Sequence, residues 1–328
     1  MPFTIRSSAI YLPESAISAE ALDERLGLAR GTCRSRYGVN QRHVAAAHES
    51  ALMMGASAIR RALDAAGMSL ADIDLLISAS GVSHQALPYN AAGILHALES
   101  DAALACMDVN ASCLSFLAAL EMSECALASG RYGRVLIVSS EVATVGISAQ
   151  ATEAATLFAD GAAAYVLEVS TGDQGLITSR FQTYREGYAL CQIRGGGTGL
   201  HPARASMAEV AAGSYFEMRG KPLLKLVSRL APAFVTTGLE AVGLSSGDMD
   251  WVVPHQASHA AIAHVSRRLG LDPERVVDVY ADMGNQIAAS LPIALHHLLQ
   301  TQRPPSGQRV MLFGSAAGLT LGLGVLRL

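Results

Sequence analysis

Asp72-Ile73-Asp74-Leu75-Leu76-Ile77-Ser78-Ala79 sets two aspartates before a short, unbroken apolar run. A run of that length bounded by turn residues reads as a buried strand. The helical spacing before it, from about Glu49 to Ala66, stops at Gly67, where a left-handed cap would end a helix. The same order recurs downstream. A helical pattern from Lys221 to Val242 ends at Gly243, and Asp248-Met249-Asp250 leads into the strand Trp251-Val252-Val253, both aspartates being offset by 176 residues. A second set agrees. Asp108-Val109, a turn, the helix Leu114 to Ser129 and the strand Val135 to Val138 are matched by Asp278-Val279, a turn, the helix Ile287 to Leu299 and the strand Val310 to Phe313, the two aspartates being offset by 170, close to the first interval. This alternation predicts an α/β protein built by internal duplication, because solenoid units of about 20–50 residues are far shorter. The division falls near Ser170 to Gly175, which gives expected halves of 1–172 and 173–328.

The composition fits one large or two medium folded units: 328 residues, 51% hydrophobic and 16% charged, exclude fibrous and disordered classes. A formal net charge of −4 supplies no field to gather nucleic acid or coat an anionic membrane, so neither is an expected partner. No apolar run reaches the roughly 18–20 residues that span a bilayer. Met1-Pro2-Phe3-Thr4-Ile5-Arg6 lacks the apolar stretch of a signal peptide, and a soluble, cytoplasmic protein is expected. The five cysteines, Cys33, Cys106, Cys113, Cys125 and Cys191, include no C-x-x-C pair, which argues against a disulfide framework or a structural zinc site. Most are expected to be buried apolar fillers. The stretch from Phe181 to Ser214 fits neither half and reads as a long excursion over the active site. Its Gly195-Gly196-Gly197-Thr198-Gly199 run has no Gly-Lys-[Ser/Thr] after it, so a flexible loop is expected in place of a phosphate cradle.

Three positions could carry chemistry. Cys113, in Asn110-Ala111-Ser112-Cys113-Leu114-Ser115, stands where turn residues give way to a helical pattern. Free N–H groups and the positive end of the helix dipole there favour thiolate over thiol and make a better nucleophile. A buried structural cysteine fits the same local sequence. His255 follows the strand in Val253-Pro254-His255-Gln256-Ala257, at the strand end where α/β folds place their sites, although a lone histidine also serves as a satisfied structural residue. Asn285, in Met283-Gly284-Asn285-Gln286-Ile287, lies in the turn that matches the Cys113 turn under the duplication, and an asparagine before a helix can be only a cap. If a pseudo-twofold axis relates the halves, Cys113 and Asn285 approach each other across it. His255 and His259 have zincin spacing, but Gln256 replaces the general-base glutamate, so no metal is expected. His296-His297 reads as an exposed helical pair.

At these motifs the chain resembles the ketoacyl-acyl carrier protein synthase III family of the thiolase superfamily, over essentially its full length. The resemblance runs through Ala111-Ser112-Cys113, Val253-Pro254-His255-Gln256-Ala257 and Gly284-Asn285 with Ala289-Ser290-Leu291-Pro292, and through Phe158-Ala159-Asp160-Gly161-Ala162-Ala163. It implies a five-layered α/β/α/β/α fold from two duplicated halves, usually a homodimer, with a Cys113–His255–Asn285 triad and a structural Asp160. The implied reaction loads Cys113 from an acyl thioester, on acyl carrier protein or coenzyme A. Backbone N–H groups of Cys113 and Ala317 stabilise the oxyanion. Malonyl-acyl carrier protein then condenses with loss of carbon dioxide, giving a 3-oxoacyl thioester without metal or organic cofactor.

The departures qualify the resemblance. Arg36 of the family's coenzyme A clamp is present, but Thr32 stands where the family has Trp, and Thr152 and Ala260 replace two family arginines. Basic residues associated with carrier docking are kept at Lys225, Arg267 and Arg268, which favours a carrier-borne substrate; ordinary solvated charges give the same pattern. Leu87 matches the dimer-partner Phe that closes the acyl pocket. Phe158 and Leu319, the latter in the altered turn Ser315-Ala316-Ala317-Gly318-Leu319, complete the expected substrate-binding set. These changes imply a specialised relative, with an acyl preference longer than acetyl. Two other reactions suit the same nucleophile: acyl transfer to form an ester or amide, and non-decarboxylative Claisen condensation, which needs a base beside Cys113 and a second apolar channel. A catalytically silent partner subunit is a fourth reading, against which the intact Cys113, His255 and Asn285 argue.

Overall fold

The computed structural model describes residues 3–148 and 150–328, so the N-terminal reading at Met1-Pro2 lies partly outside the described residues. In chain order the first half comprises β1 (Phe3–Tyr11), β2 (Ala16–Ser18), α1 (Ala19–Arg25), α2 (Thr32–Tyr37), β3 (Gln41–His43), α3 (Ala51–Ala66) and β4 (Leu75–Ser78). It continues with α4 (Asn90–Ala97), β5 (Ala105–Asp108), α5 (Ser115–Ala128), β6 (Arg134–Glu141), α6 (Thr152–Leu157) and β7 (Gly161–Val169). Next come β8 (Gly175–Thr183), β9 (Cys191–Gln192), α7 (Met207–Gly213), β10 (Glu217–Met218), α8 (Gly220–Glu240), β11 (Trp251–Pro254) and α9 (His259–Arg268). The chain ends with α10 (Tyr280–Met283), α11 (Ser290–Thr301), β12 (Arg309–Ala316) and β13 (Thr320–Arg327).

Two mixed sheets dominate, ordered β1-β7-β6-β4-β5 and β8-β13-β12-β11. In each, two antiparallel pairings lead to a parallel one, and a bridge from Val252 to Val276 sets the segment after α9 where β5 stands in the first sheet. Alternation within strands fixes the layers. Leu75 and Ile77 of β4 face a central core shared with Phe116 and Leu120 of α5, Leu291 and Leu295 of α11, and Val310 and Leu312 of β12. Leu76 points the other way, to Met54 and Ile59 of α3 and Ile94 of α4. On the far side Val252, Met311 and Leu323 pack against Val227, Phe234 and Leu239 of α8, with α9 beside them. Helices therefore lie outside, between and outside two sheets, which is the five-layered α/β/α/β/α arrangement. The strongly apolar faces of the central helices follow from burial on both sides.

Helix ends match the sequence closely. Ser50 caps α3 by accepting from the Met53 N–H at 3.2 Å, and Gly67 ends it at φ +66°. Three expectations are corrected. Ile287–Ala289 form a 3-10 turn and the helix begins at Ser290. Phe181–Thr183 belong to β8, so the excursion starts later than expected and contains β9 and α7. The His296-His297 pair is half-buried, with His296 Nδ1 2.9 Å from Ser8 Oγ.

Candidate active site

Cys113 sits on a tight turn two residues before α5, after Ser112 at φ +53°. Ser115 Oγ donates to the Ser112 carbonyl at 2.7 Å and accepts from the Ala111 N–H at 2.9 Å, which fixes the turn beneath the thiol. His255 directly follows β11, its N–H bonded to the Phe313 carbonyl at 2.8 Å. The adjoining strand can pass this close because residue 314 is glycine: a Cβ there would lie 2.8 Å from His255 Cβ. Gln256 is structural, donating to the Pro254 and Val277 carbonyls and accepting from the Val279 N–H at 3.0 Å. No group of three or more metal-ligating side chains stands together among the described residues.

Asn285 is clamped by its own backbone. Its N–H donates to the Leu157 carbonyl at 2.9 Å, and its carbonyl accepts from the Ala159 N–H at 3.1 Å. Its side-chain oxygen accepts from the Ile287 N–H at 2.9 Å and from Ser290 Oγ at 3.3 Å. The amide NH2 is left with only a long contact, 3.4 Å, to the Ala257 carbonyl.

Cys113, His255 and Asn285 line one cavity of about 690 Å³, together with Phe158 and Ala317. A second cavity of about 240 Å³ lies between α8 and α9 and shares His255, Ala257 and Ser315 with the first, so His255 stands in the wall where the two adjoin. Burial sets the protonation of the lining groups. It pushes His255 down to about 4, which leaves a neutral imidazole whose Nδ1 is buried without a hydrogen-bond partner.

The Cys113 thiol departs from expectation. Burial pushes it up to about 12, with Cys191 and Glu141 adding to the rise, while the N–H groups of Ala317 and Cys113 pull the other way. Desolvation outweighs the helix end, and the resting group is the thiol. The backbone donors still aim at the sulfur.

Other expected residues divide. Phe158 lines the cavity, but Leu319 does not: it is fully buried in the α8 core, packed so closely on Gly187 that a Cβ there would meet it at 2.3 Å. Arg36 is exposed over the Tyr37 ring, 5.4 Å from its centroid, outside the lining of both cavities. Leu87 is 84% exposed and lies away from this chain's own cavity. Lys225, Arg267 and Arg268 are exposed on the adjoining helices α8 and α9. Of the five cysteines only Cys33 is buried as a whole residue; Cys106, Cys113 and Cys191 are half-buried and Cys125 is exposed, and Cys191 lines the cavity beside Cys113, whose sulfur lies deep in it. Asp160 is structural, accepting from the Ala45 and Thr144 N–H groups and from Thr144 Oγ1.

Sequence reading missed Glu141. Its buried carboxyl accepts from the Gly81 N–H, with the Val82 and Ala288 N–H groups also directed at it, and burial raises it to about 8. It ties the turn after β4 to the turn after Asn285. The one available signal was an acid two serines beyond the apolar run Val135 to Val138.

Family models for 3-oxoacyl-[acyl-carrier-protein] synthase III match residues 107–185 and, for its C-terminal part, 239–328. A β-ketoacyl-[acyl-carrier-protein] synthase III of Acidiphilium cryptum is 33% identical over 97% of this chain and 96% of its own. This chain belongs to the synthase III family. It is an acyltransferase of the condensing type. The synthase III of Hyphomonas neptunium is 30% identical over 99% of this chain and 98% of its own. Among solved structures, synthase III from Pseudomonas aeruginosa covers 100% of this chain, with 98% of its own covered, at 28% identity and a TM-score of 0.86. The priming β-ketosynthase of the R1128 polyketide biosynthetic pathway covers 100%, with 96% of its own covered, at 26% identity and a TM-score of 0.89. The synthase III fold is thus met along the whole chain, including the excursion that roofs the cavity.

Proposed function

We propose that Cys113 takes an acyl group from a thioester and passes it, by decarboxylative condensation with malonyl-acyl carrier protein, into a 3-oxoacyl thioester. One observation carries the reading: the Cys113 thiol, the His255 imidazole, the Asn285 amide and the Ala317 N–H converge on one cavity. In the first step the Cys113 sulfur bonds to the acyl carbonyl carbon, the carrier sulfur leaves, and the thiol proton goes to that leaving sulfur. The N–H groups of Cys113 and Ala317 stabilise the oxyanion. In the second step carbon dioxide leaves the malonyl group. The resulting enolate oxygen is held by His255 and Asn285 while its carbon attacks the acyl-enzyme and the Cys113 sulfur departs. A neutral imidazole suits this task, because it donates a hydrogen bond without giving up a proton to the enolate.

A carrier-borne donor is the favoured form. The second cavity's walls are mostly apolar, with Lys221 and Glu153 as its charged residues, while Thr32, Thr152 and Ala260 stand where coenzyme A contacts are expected. Lys225, Arg267 and Arg268 are free at the surface of the helices that flank it, as docking of an acidic carrier requires. The working unit is a cytoplasmic homodimer of two-half subunits, 1–172 and 173–328. The edge strand β5, with Met107, Tyr89 and Leu87 exposed around it, supports the pairing, and no helix among the described residues is long and apolar enough to cross a membrane.

The second apolar cavity also favours a non-decarboxylative Claisen reading, but Glu141, the carboxyl whose charge acts on the Cys113 thiol, is held by backbone N–H groups, is absent from both cavity linings and is not placed to serve as its base. Acyl transfer to an alcohol or amine has no comparable observation in its favour. The test separates the steps: Asn285→Ala and His255→Ala are expected to form the acyl adduct yet lose condensation by about 10²-fold or more. Normal product formation by Asn285→Ala would sink the role given to that amide.

A further inference from the structure

We propose that Arg42 is a positioning residue for Asn285, needed for carbon–carbon bond formation and dispensable for acyl loading. The inference rests on the enolate-binding reading of Asn285.

Arg42 lies on the short strand β3, in the other half of the chain from Asn285, and is 1% exposed. A buried guanidinium is costly unless paired, yet no carboxylate forms an ion pair with it among the described residues. Among the described residues its hydrogen bonds run to main-chain carbonyls, and the Tyr280 side chain beside it favours the charged form. Nε reaches Thr156 at 3.0 Å, and Nη1 reaches Gln41 at 2.7 Å, Tyr280 at 3.0 Å and Ala281 at 3.1 Å. The guanidinium carbon sits 4.5 Å from the Tyr280 ring centroid, and Nη2 is buried with no hydrogen-bond partner among the described residues.

These carbonyls belong to the two segments that aim Asn285. Thr156 immediately precedes Leu157–Ala159, whose backbone grips Asn285 on both sides, and Tyr280 and Ala281 open α10, which runs into Gly284-Asn285. Gly284 adopts φ +71°, and a Cβ there would meet Arg42 Cδ and Nε at 2.7 Å and Ala159 Cβ at 3.0 Å. The stem of Arg42 therefore fills the joint beside Asn285 while its head fastens the segments on either side. An apolar side chain of similar length would fill the joint without fastening anything. Planar donors in a fixed fork suit this task, and a lysine supplies the charge without the fork.

The experiment compares Arg42→Met, Arg42→Lys, Asn285→Ala and the Arg42→Met/Asn285→Ala double variant. Each is measured for the rate of Cys113 adduct formation and, separately, for turnover of the loaded enzyme with malonyl-acyl carrier protein. Arg42→Met is expected to load within about threefold of wild type and to condense at least about 10-fold more slowly, with Arg42→Lys between them. The double variant should condense no more slowly than Asn285→Ala, because both changes remove one function. Equal losses in loading and condensation would overturn the inference, as would failure of both Arg42 variants to fold, since Arg42 would then serve the fold as a whole. Unimpaired condensation by Arg42→Met beside an impaired Asn285→Ala overturns this inference alone. Normal condensation by Asn285→Ala overturns the enolate reading and this inference with it.

Discussion

Glu141 and His255 are both held neutral by burial, and the consequences for stability run in opposite directions with pH. The raised Glu141 keeps its proton in the folded chain up to about pH 8, whereas an unfolded glutamate releases it near its ordinary value of 4.5. Its contribution is therefore fully present below that ordinary value and is lost as pH rises through 8. Glu141→Gln should gain on wild type by on the order of a few kcal/mol between pH 5 and 8. Thermal melts at the two pH values check this, and parallel profiles would contradict it. His255, lowered to about 4, behaves conversely: its contribution is complete above its ordinary 6.5 and is lost as pH falls toward 4. At this scale Cys113, His255 and Asn285 were legible because each stands at an element boundary marked by turn residues. Arg42, Glu141 and Cys191 were not, because burial and partners distant in sequence give them their surroundings. The state of the Cys113 thiol was misread for the same reason: the helix end is visible in the sequence and the desolvation that outweighs it is not.

The ends of elements, more than their middles, place the chemistry. β11 and β12 run parallel and deliver His255 and the Ser315–Gly318 turn to the same edge. Gly314 lets them do so. Gly314→Ala would set a methyl group 2.8 Å from His255 Cβ and 3.1 Å from Leu114, so the imidazole must move. Condensation is expected to fall by about 10–100-fold. Steady-state turnover beside a melting curve checks it, and a folded variant with wild-type turnover would contradict the packing argument. The helix end at Gly67 was readable because a left-handed residue stops a helix there, whereas α8 stops at Glu240, with Ala241 as a right-handed cap and the left-handed Gly243 in the turn beyond. The start of α11 was not readable. A helix begun at Ile287 would require Pro292 to donate to the Ala288 carbonyl, which proline cannot do; beginning at Ser290 puts it in the first turn, where no such bond is needed.

The whole molecule joins two matched sheets around α5 and α11, and this much was legible in the repeated order of helix, aspartates and strand. The depth of each residue was not, which is why Leu319 was expected at the cavity and lies in the core. Among the described residues β5 has no strand on its outer side, and Met107 is 41% exposed there, which is the edge the proposed homodimer would pair. Met107→Lys should shift the protein from dimer to monomer in light scattering, since an edge-strand charge opposes pairing. A wild-type monomer would contradict the homodimer reading. Reversing Lys225, Arg267 and Arg268 to glutamate should raise KM for the carrier-borne substrate by about 10-fold at low salt while leaving kcat near wild type. An unchanged KM would remove these residues from docking.

Intact-protein mass spectrometry can follow the Cys113 acyl group through both steps. Wild type and Cys113→Ala would be incubated with acyl-carrier protein and acyl-coenzyme A of matched chain lengths, and malonyl-acyl carrier protein would then be added. An acyl adduct is expected on wild type alone, forming faster from the carrier than from coenzyme A and discharging into a 3-oxoacyl product. An adduct that survives malonyl-acyl carrier protein but discharges onto an alcohol or amine, or no adduct from any donor, would contradict the condensing reading.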